Sequence, residues 1–175
     1  MPTLAPARLT LDRAPSPIGD LLLASDADGR LRAVDYHDHE ARMLRLLKLH
    51  YGPVALEPGA APAATRSALA AYFDGELAAL ATVPWTTGGT AFQRAVWRAL
   101  SDVAPGTTLT YAALAARIDR PAAVRAVGAA NGANPLSIVV PCHRLVGADG
   151  ALTGYGGGIA RKAWLLAHEG ARPRA

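Results

Sequence analysis

A cysteine, a histidine and an arginine stand side by side at 142–144, inside the stretch IVVPCHRLVG (138–147), and the cysteine is the only one in 175 residues. A thiol attacks as its thiolate, and a free thiol, with a pKa of about 8.5, is mostly protonated at neutral pH. Activation therefore needs a base or a nearby positive charge, and His143 and Arg144 are the adjacent candidates for the two. If an extended strand ran through Cys142, the side chains of 142 and 143 would point to opposite faces. Contact then requires a bend after Pro141, or a water that carries the proton between sulfur and imidazole. An imidazole that takes a proton is helped by a carboxylate that orients it. Between Arg120 and Glu169 the sole acid is Asp149, in a glycine-rich stretch, while Glu169 ends the last helical stretch. Spacing does not choose between them. On these residues alone a Cys-His hydrolase, a thiol group-transferase and an inert buried cysteine all stay open.

Composition narrows the setting. A lone cysteine permits no internal disulfide and no zinc site built on several thiolates, which predicts a reducing, cytoplasmic location. The start, MPTLAPARLTLDRAPSP, lacks the continuous apolar stretch of a secretory signal, and no run approaches the roughly 18 residues of a membrane span. His37, His39, His50 and His168 show no metal-ligand pattern and read as structural or surface residues, so neither a metal nor a cofactor is expected. Charge is divided unevenly. Residues 1–88 hold 8 Arg/Lys and 10 Asp/Glu, a net of −2, whereas residues 89–175 hold 10 and 4, a net of +6. A basic half beside a mildly acidic one points to an anionic partner, with nucleic acid the leading candidate.

The elements that must position the thiol follow from pattern. IGDLLLASDADGRLRAV (18–34) reads as two short strands about an Asp/Gly turn. HEARMLRLLKLHY (39–51) sets Met43, Leu46, Leu47 and His50 at helical spacing, and GPVALEPGAAPAA (52–64) reads as a connector before a helix in TRSALAAYFDGEL (65–77). The Pro/Gly content of TVPWTTGGT (82–90) and the change in charge place a domain boundary near 88–89. The expected architecture is thus an α/β N-terminal domain (1–88), with a small antiparallel sheet plus helices, and a mostly α C-terminal domain (89–175). In the latter, TAFQRAVWRALSDV (90–103) puts Phe92, Val96, Ala99 and Leu100 on one stripe behind a Thr90 cap. PGTTLTYAALAARI (105–118) and DRPAAVRAVGAANGANP (119–135) read as two short helices of a helix-turn-helix, the second opening near Asp119 and Pro121. That second helix is nearly all Ala and Gly, with Arg125 its one long side chain. SIVVPCHRLV (137–146) reads as a buried strand interrupted by Pro141, GADGALTGYGGG (147–158) as a loop, and ARKAWLLAHEG (160–170) as a helix closed by Gly170. Trp85, Trp97 and Trp164 are assigned to packing.

The segments AFQRAVWRAL, TYAALA, RAVGAANGANP, IVVPCHR, GALTGYGGG and RKAWLLAHEG resemble, in order and spacing, the O6-alkylguanine-DNA alkyltransferases, the freestanding single-turnover repair proteins. The match covers about residues 90–170, and SPIGDLLLASDADGRL and AYFDGEL resemble the family's N-terminal domain. The resemblance implies a role for each matching residue. Cys142 is the alkyl acceptor, His143 acts through a water as its base, and Glu169 rather than Asp149 orients the imidazole. Asn134 holds the active-site turn, and Tyr111 hydrogen-bonds or protonates guanine N3. Arg125 enters the duplex in place of the extruded nucleotide, on a helix whose Ala126, Ala129 and Asn131 face DNA. Tyr155 and Gly156 wall the base pocket, and the backbone at Cys142 and Leu145 reads the exocyclic amine. The implied partner is duplex DNA carrying O6-alkylguanine, bound from the minor groove by a monomer, with O4-alkylthymine and cooperative binding left open.

Physics agrees with that implication, since a base inside a duplex must be flipped out to be attacked. A small-residue helix can lie close in the minor groove while one long side chain wedges into the stack. Three rivals make different demands. A recognition module that binds alkylguanine without transfer lacks the acceptor cysteine, which is present here. A Cys-His hydrolase has no use for a helix-turn-helix, and a methylation-controlled transcription regulator carries an upstream cysteine-rich zinc module, absent from this sequence.

Overall fold

The computed structural model describes residues 5–171. Residues 1–4, where the start of the chain was searched for a signal, and Arg172 and Arg174, two of the ten basic residues of the second half, lie outside them. By contact the chain divides into two units, Met1–Gly89 with Pro135–Val139, and Thr90–Asn134 with Val140–Ala175.

The first unit is an α/β layer. Its elements are β1 (Arg8–Ala14), β2 (Leu21–Ser25), β3 (Leu31–Tyr36), α1 (Glu40–Tyr51), β4 (Ala55–Pro58) and α2 (Ala63–Phe73). The strands lie in the order β3-β2-β1-β4, with β1–β2 and β2–β3 antiparallel and β1–β4 parallel. Asp26 builds the β2–β3 hairpin: its Oδ1 accepts the N–H groups of Asp28 and Arg30, both at 3.0 Å, an Asx-type turn. Leu9, Leu22, Ala24, Ala33, Met43, Leu47 and Tyr51 form the core between sheet and α1. Tyr51, not His50, completes the buried helix stripe, because position 51 lies one turn beyond 47 on the sheet-facing side. Two strands escaped the sequence reading. β4 sits within the stretch read as a connector, and Pro53 and Pro58 at its ends hide a four-residue edge strand, a place where proline is tolerated. β1 runs directly into the Pro15–Pro17 turn and carries little apolar alternation.

The outer edge of β3 is not left open. At one end the Leu31 N–H donates to Pro84 O (2.9 Å) and the Thr86 N–H to Leu31 O (3.1 Å); at the other the Val34 N–H donates to Pro135 O (2.9 Å) and the Ser137 N–H to Val34 O (3.1 Å). These last two bonds are why residues 135–139 belong to the first unit, although the sequence placed all of 89–175 together. Side chains reinforce them. Asp35 Oδ2 accepts from Arg42 Nε (3.1 Å), and Arg42 Nη2 reaches Ser137 Oγ (3.3 Å). Burial pushes the Asp35 carboxyl up, against the pull of Arg42. Ile138, within this segment, has φ +71°, a backbone state that costs a β-branched residue on the order of 1–3 kcal/mol.

The second unit is mostly helical: α3 (Ala91–Ser101), β5 (Leu109–Thr110), α4 (Tyr111–Arg117), α5 (Val124–Gly132), a 3-10 turn at Cys142–Arg144, β6 (Leu145–Val146) and α6 (Ile159–His168). Thr90 and Gln93 form a complete capping box on α3, two orphan donors satisfied reciprocally. Val96, Trp97 and Leu100 are buried on its inner face, and Trp97 Nε1 donates to Ala130 O (2.9 Å), tying α3 to α5. The helix-turn-helix is α4–α5. Thr110 caps α4 through the Ala113 N–H (3.1 Å), and Asp119, with φ +57°, turns the chain in a conformation acids tolerate better than most residues. α5 starts at Val124, later than the Asp119/Pro121 signal suggested, because Arg120–Ala123 forms a separate turn closed by the Ala123 N–H on Arg120 O (2.9 Å). None of the described helices is long and apolar enough to cross a membrane.

Candidate active site

The expected buried strand through 137–146 does not exist as such. The chain already turns at 137–139 and passes through Pro141 into the 3-10 turn, and only Leu145–Val146 pairs, in parallel, with Leu109–Thr110. The bend removes the geometric objection that extended backbone would part Cys142 from His143. Asn134 secures it, its Nδ2 donating to Val140 O (2.9 Å) from a site 1 % exposed. The Arg144 N–H closes the turn on Pro141 O (3.0 Å).

His143 is fully buried, and its Nε2 lies 2.8 Å from Glu169 Oε1. The carboxylate can only accept, so Nε2 carries the proton and Nδ1 keeps its lone pair. Nδ1 is buried without a hydrogen-bond partner among the described residues. Burial pushes the imidazole down, opposed by Glu169, so the ring is held neutral. Glu169 caps the C-terminal end of α6 and also receives Arg144 in a fork, with Nε to Oε2 at 2.9 Å and Nη2 to Oε1 at 2.8 Å. Burial alone would raise this carboxyl. The hydrogen bonds from His143 and Arg144 outweigh it and hold Glu169 well below the carboxylate range. Arg144 Nη1 donates further to Val103 O (2.6 Å) at the end of α3. Gly106 lets that region approach, since a Cβ there would sit 2.9 Å from Glu169 O, and its φ of +82° suits glycine. Asp149, the competing acid, is exposed in its turn and accepts the Ala151 N–H (3.0 Å).

Lys162 had no assigned role in the sequence reading. It is fully buried, and its Nζ donates to Leu145 O, Thr153 O (2.7 Å) and Gly154 O (3.5 Å). Burial pushes it down to about 8, opposed by attraction to Cys142. A signal was available. Lys162, Leu165, Leu166 and Glu169 recur at i, i+3, i+4 and i+7 and are all buried, so two charged residues occupy the apolar stripe of α6. Charged groups are rarely buried unless paired.

Cys142 is 4 % exposed. Tyr111 opens α4 half-buried, with its hydroxyl 3.0 Å from Thr153 Oγ1 of the glycine-rich loop. Tyr155 and Gly156 are half-buried in the same loop, and the Tyr155 ring stands edge-on to His143 with centroids 6.5 Å apart. On α5, Arg125, Ala126 and Ala129 are exposed, whereas Asn131 is buried and its Nδ2 donates to Cys142 O (3.4 Å). Asn131 therefore faces the thiol turn and not the exposed side of the helix, because it lies on the stripe of Val127 and Ala130. The two carbonyls expected to read an amine are occupied internally. Cys142 O accepts from the Leu145 N–H and from Asn131, and Leu145, fully buried, gives its oxygen to Lys162.

A thiol on a bent turn, an imidazole oriented by a carboxylate and a helix-turn-helix whose Asn131 reaches the thiol turn are features that suit a DNA-directed protein with a reactive cysteine. The family model "6-O-methylguanine DNA methyltransferase, DNA binding domain" matches residues 91–171. Curated relatives include the methylated-DNA–protein-cysteine methyltransferases of Salmonella typhimurium, 49 % identical over 93 % of this chain and 96 % of that protein, and of Haemophilus influenzae, 42 % identical over 87 % and 81 %. Among solved structures, Mycobacterium tuberculosis OGT in complex with DNA is similar with TM-score 0.78 and 38 % identity over 92 % of each chain. The O6-methylguanine-DNA methyltransferase of Pyrococcus kodakaraensis is similar with TM-score 0.68 and 26 % identity over 93 % and 99 %. The chain belongs to the methylated-DNA–protein-cysteine methyltransferase family.

Proposed function

We propose that this protein repairs O6-alkylguanine in duplex DNA by moving the alkyl group, irreversibly and once per molecule, onto Cys142. The observation that carries the reading is the buried pair His143–Glu169, which leaves a neutral imidazole with one unengaged nitrogen next to the only thiol. A water relays the thiol proton to Nδ1, and Glu169 stabilises the imidazolium that forms. The other buried charges of the site favour the thiolate as well: Lys162 and Arg144 (+2) against Glu169 (−1) leave a net of +1, a total that moving the thiol proton to His143 does not change. Sulfur then attacks the alkyl carbon, the C–O6 bond breaks, and the electron pair passes into the purine, where N3 takes a proton from Tyr111.

DNA binding falls to the exposed face of α5. Ala126 and Ala129 allow close approach in the minor groove, phosphate contacts fix the position without reading sequence, and Arg125 fills the gap left by the flipped nucleotide. Tyr155 and Gly156 wall the pocket that receives the base. Arg125→Ala is expected to slow repair of duplex by about tenfold or more, the weight of roughly 1.4 kcal/mol of an extrusion cost of a few kcal/mol. The rate with the free alkylated base should change little, and parallel single-turnover assays check it.

The decisive experiment is intact-protein and peptide mass spectrometry after mixing with excess duplex carrying one O6-methylguanine. One added methyl on the Cys142 peptide, with one guanine restored per protein and then no more, is the expected result. Repeated turnover would make the protein a different class of enzyme. An unmodified protein that retains the lesion would make it a recognition module.

A further inference from the structure

Tyr111 is one of two hydroxyls that meet at the rim of the site. Its phenol oxygen lies 3.0 Å from Thr153 Oγ1, and in such a pair either oxygen can be the donor. Only one proton occupies the space between them. If Tyr111 donates to Thr153, its proton is spent; if Thr153 donates, the Tyr111 proton is free to point at a base. We propose that Thr153 is a positioning residue for proton transfer from Tyr111, donating to the phenol oxygen so that Tyr111 Oη–H faces N3 of the departing guanine. The inference rests on the role given to Tyr111 above and adds what governs its proton.

Each partner has an anchor. Thr153 O receives Lys162 Nζ at 2.7 Å, which fixes the backbone of an otherwise exposed residue. A β-branched side chain has few χ1 rotamers, which limits the directions its hydroxyl can take. The Tyr111 ring lies over Gly128 of α5, where a Cβ would come no closer than 3.8 Å, and its backbone starts a helix capped by Thr110.

The chemistry accounts for the preference. N3 has a lone pair and no hydrogen, so an incoming base breaks the tie between the two hydroxyls. As the Cys142 sulfur–carbon bond forms and the C–O6 bond breaks, the electron pair enters the purine and the Tyr111 proton goes to N3. Negative charge then develops on the phenol oxygen, and the hydrogen bond from Thr153, whose own proton stays on Thr153, becomes charge-assisted and stronger. Solvent returns a proton to Tyr111 once guanine has left. An interaction that strengthens in the transition state accelerates the step without tightening the ground state.

Four proteins test this on methylated duplex at saturating protein: T153V, T153S, Y111F and the double variant Y111F/T153V. T153V keeps the shape and removes the hydroxyl, so the limiting single-turnover rate should fall about tenfold, the weight of roughly 1.4 kcal/mol, with half-saturation unchanged. T153S should restore the rate, and in the Y111F background T153V should cost nothing more, since the hydroxyl has lost its partner. Full rate for T153V, failure of T153S to rescue, or equal losses with and without the Tyr111 hydroxyl would each overturn the assignment while leaving Tyr111 in its role. Full rate for Y111F would instead remove Tyr111 from proton transfer, and Thr153 with it.

Discussion

Cys142→Ser is expected to leave the protein folded, able to bind methylated duplex, and unable to accept the methyl group. An alcohol is a far poorer nucleophile than a thiol at neutral pH, and loss of a nucleophile acts on a scale of roughly four orders of magnitude or more. Binding should be spared because Cys142 is 4 % exposed, while the face proposed to meet DNA consists of the exposed Arg125, Ala126 and Ala129. The substitution is nearly isosteric, and the new hydroxyl is small enough to leave the turn and its Asn134–Val140 bond in place. Fluorescence anisotropy with labelled duplex and mass spectrometry of the protein separate the two properties. A methyl group on the serine variant would move the acceptor to another residue.

Glu169→Gln is expected to cost more in stability than any surface change. The amide keeps the shape but removes the charge that compensates Arg144 and supports His143 in a buried site. Breaking a buried pair in this way typically costs about 3–5 kcal/mol, which for a chain of this size lowers Tm by on the order of 6–20 °C. Transfer should slow as well, since the imidazole loses its orienting partner. The same groups set the acid limit of the wild type. His143 and Glu169 both titrate lower in the folded protein than in the unfolded chain, from ordinary values of 6.5 and 4.5. The unfolded state therefore binds more protons on acidification, and stability falls as pH drops. The His143 contribution is complete above about pH 6.5 and declines below it. That of Glu169 is complete above about pH 4.5 and declines as the solution grows more acidic still. In denaturant titrations across pH the glutamine variant should lack the second decline, and an unchanged acid limb would show that other carboxylates set it.

Much of this site could be read before any fold was known, for definite reasons. The cysteine was conspicuous because it was alone, and the apolar stretch before it announced burial. Choosing Glu169 over Asp149 by spacing was impossible, because the contact spans 26 residues and depends on where α6 ends. Arg144 and Lys162 were hidden for a related cause: local pattern cannot reveal that a charged side chain is buried, although the position of Lys162 on the stripe of Leu165 and Leu166 hinted at it. Asn131 was misplaced because one helical residue more or less decides whether a side chain meets the thiol turn or the outside. The strand expected through Cys142 failed because the backbone turns before it reaches Pro141: Ile138 has φ +71° and the Val139 N–H closes on Ser137 O at 2.8 Å. In the first unit the hairpin carried strong turn chemistry at Asp26 and Gly29 and was legible, whereas β4, four residues between prolines, had no pattern long enough to detect. The parallel β1–β4 pairing is a long-range choice that no window of sequence contains.

Segment 135–139, bridged to β3 at Leu136, gives the chain an unusual inheritance problem. Its backbone is bonded to Val34 and its Ser137 to Arg42, yet its two ends continue directly into Asn134 and Val140, which a hydrogen bond joins just ahead of the turn at Cys142. The unit that holds Cys142 is thus continuous in space and discontinuous along the chain. A single crossover near residue 89 would deliver the thiol, the imidazole and the helix-turn-helix to a new gene, but would leave Leu136 without the Val34 strand that it bridges. Recombination can shuffle a module only when one cut frees it, and here the unit that holds Cys142 and the unit that holds the sheet must be transmitted together.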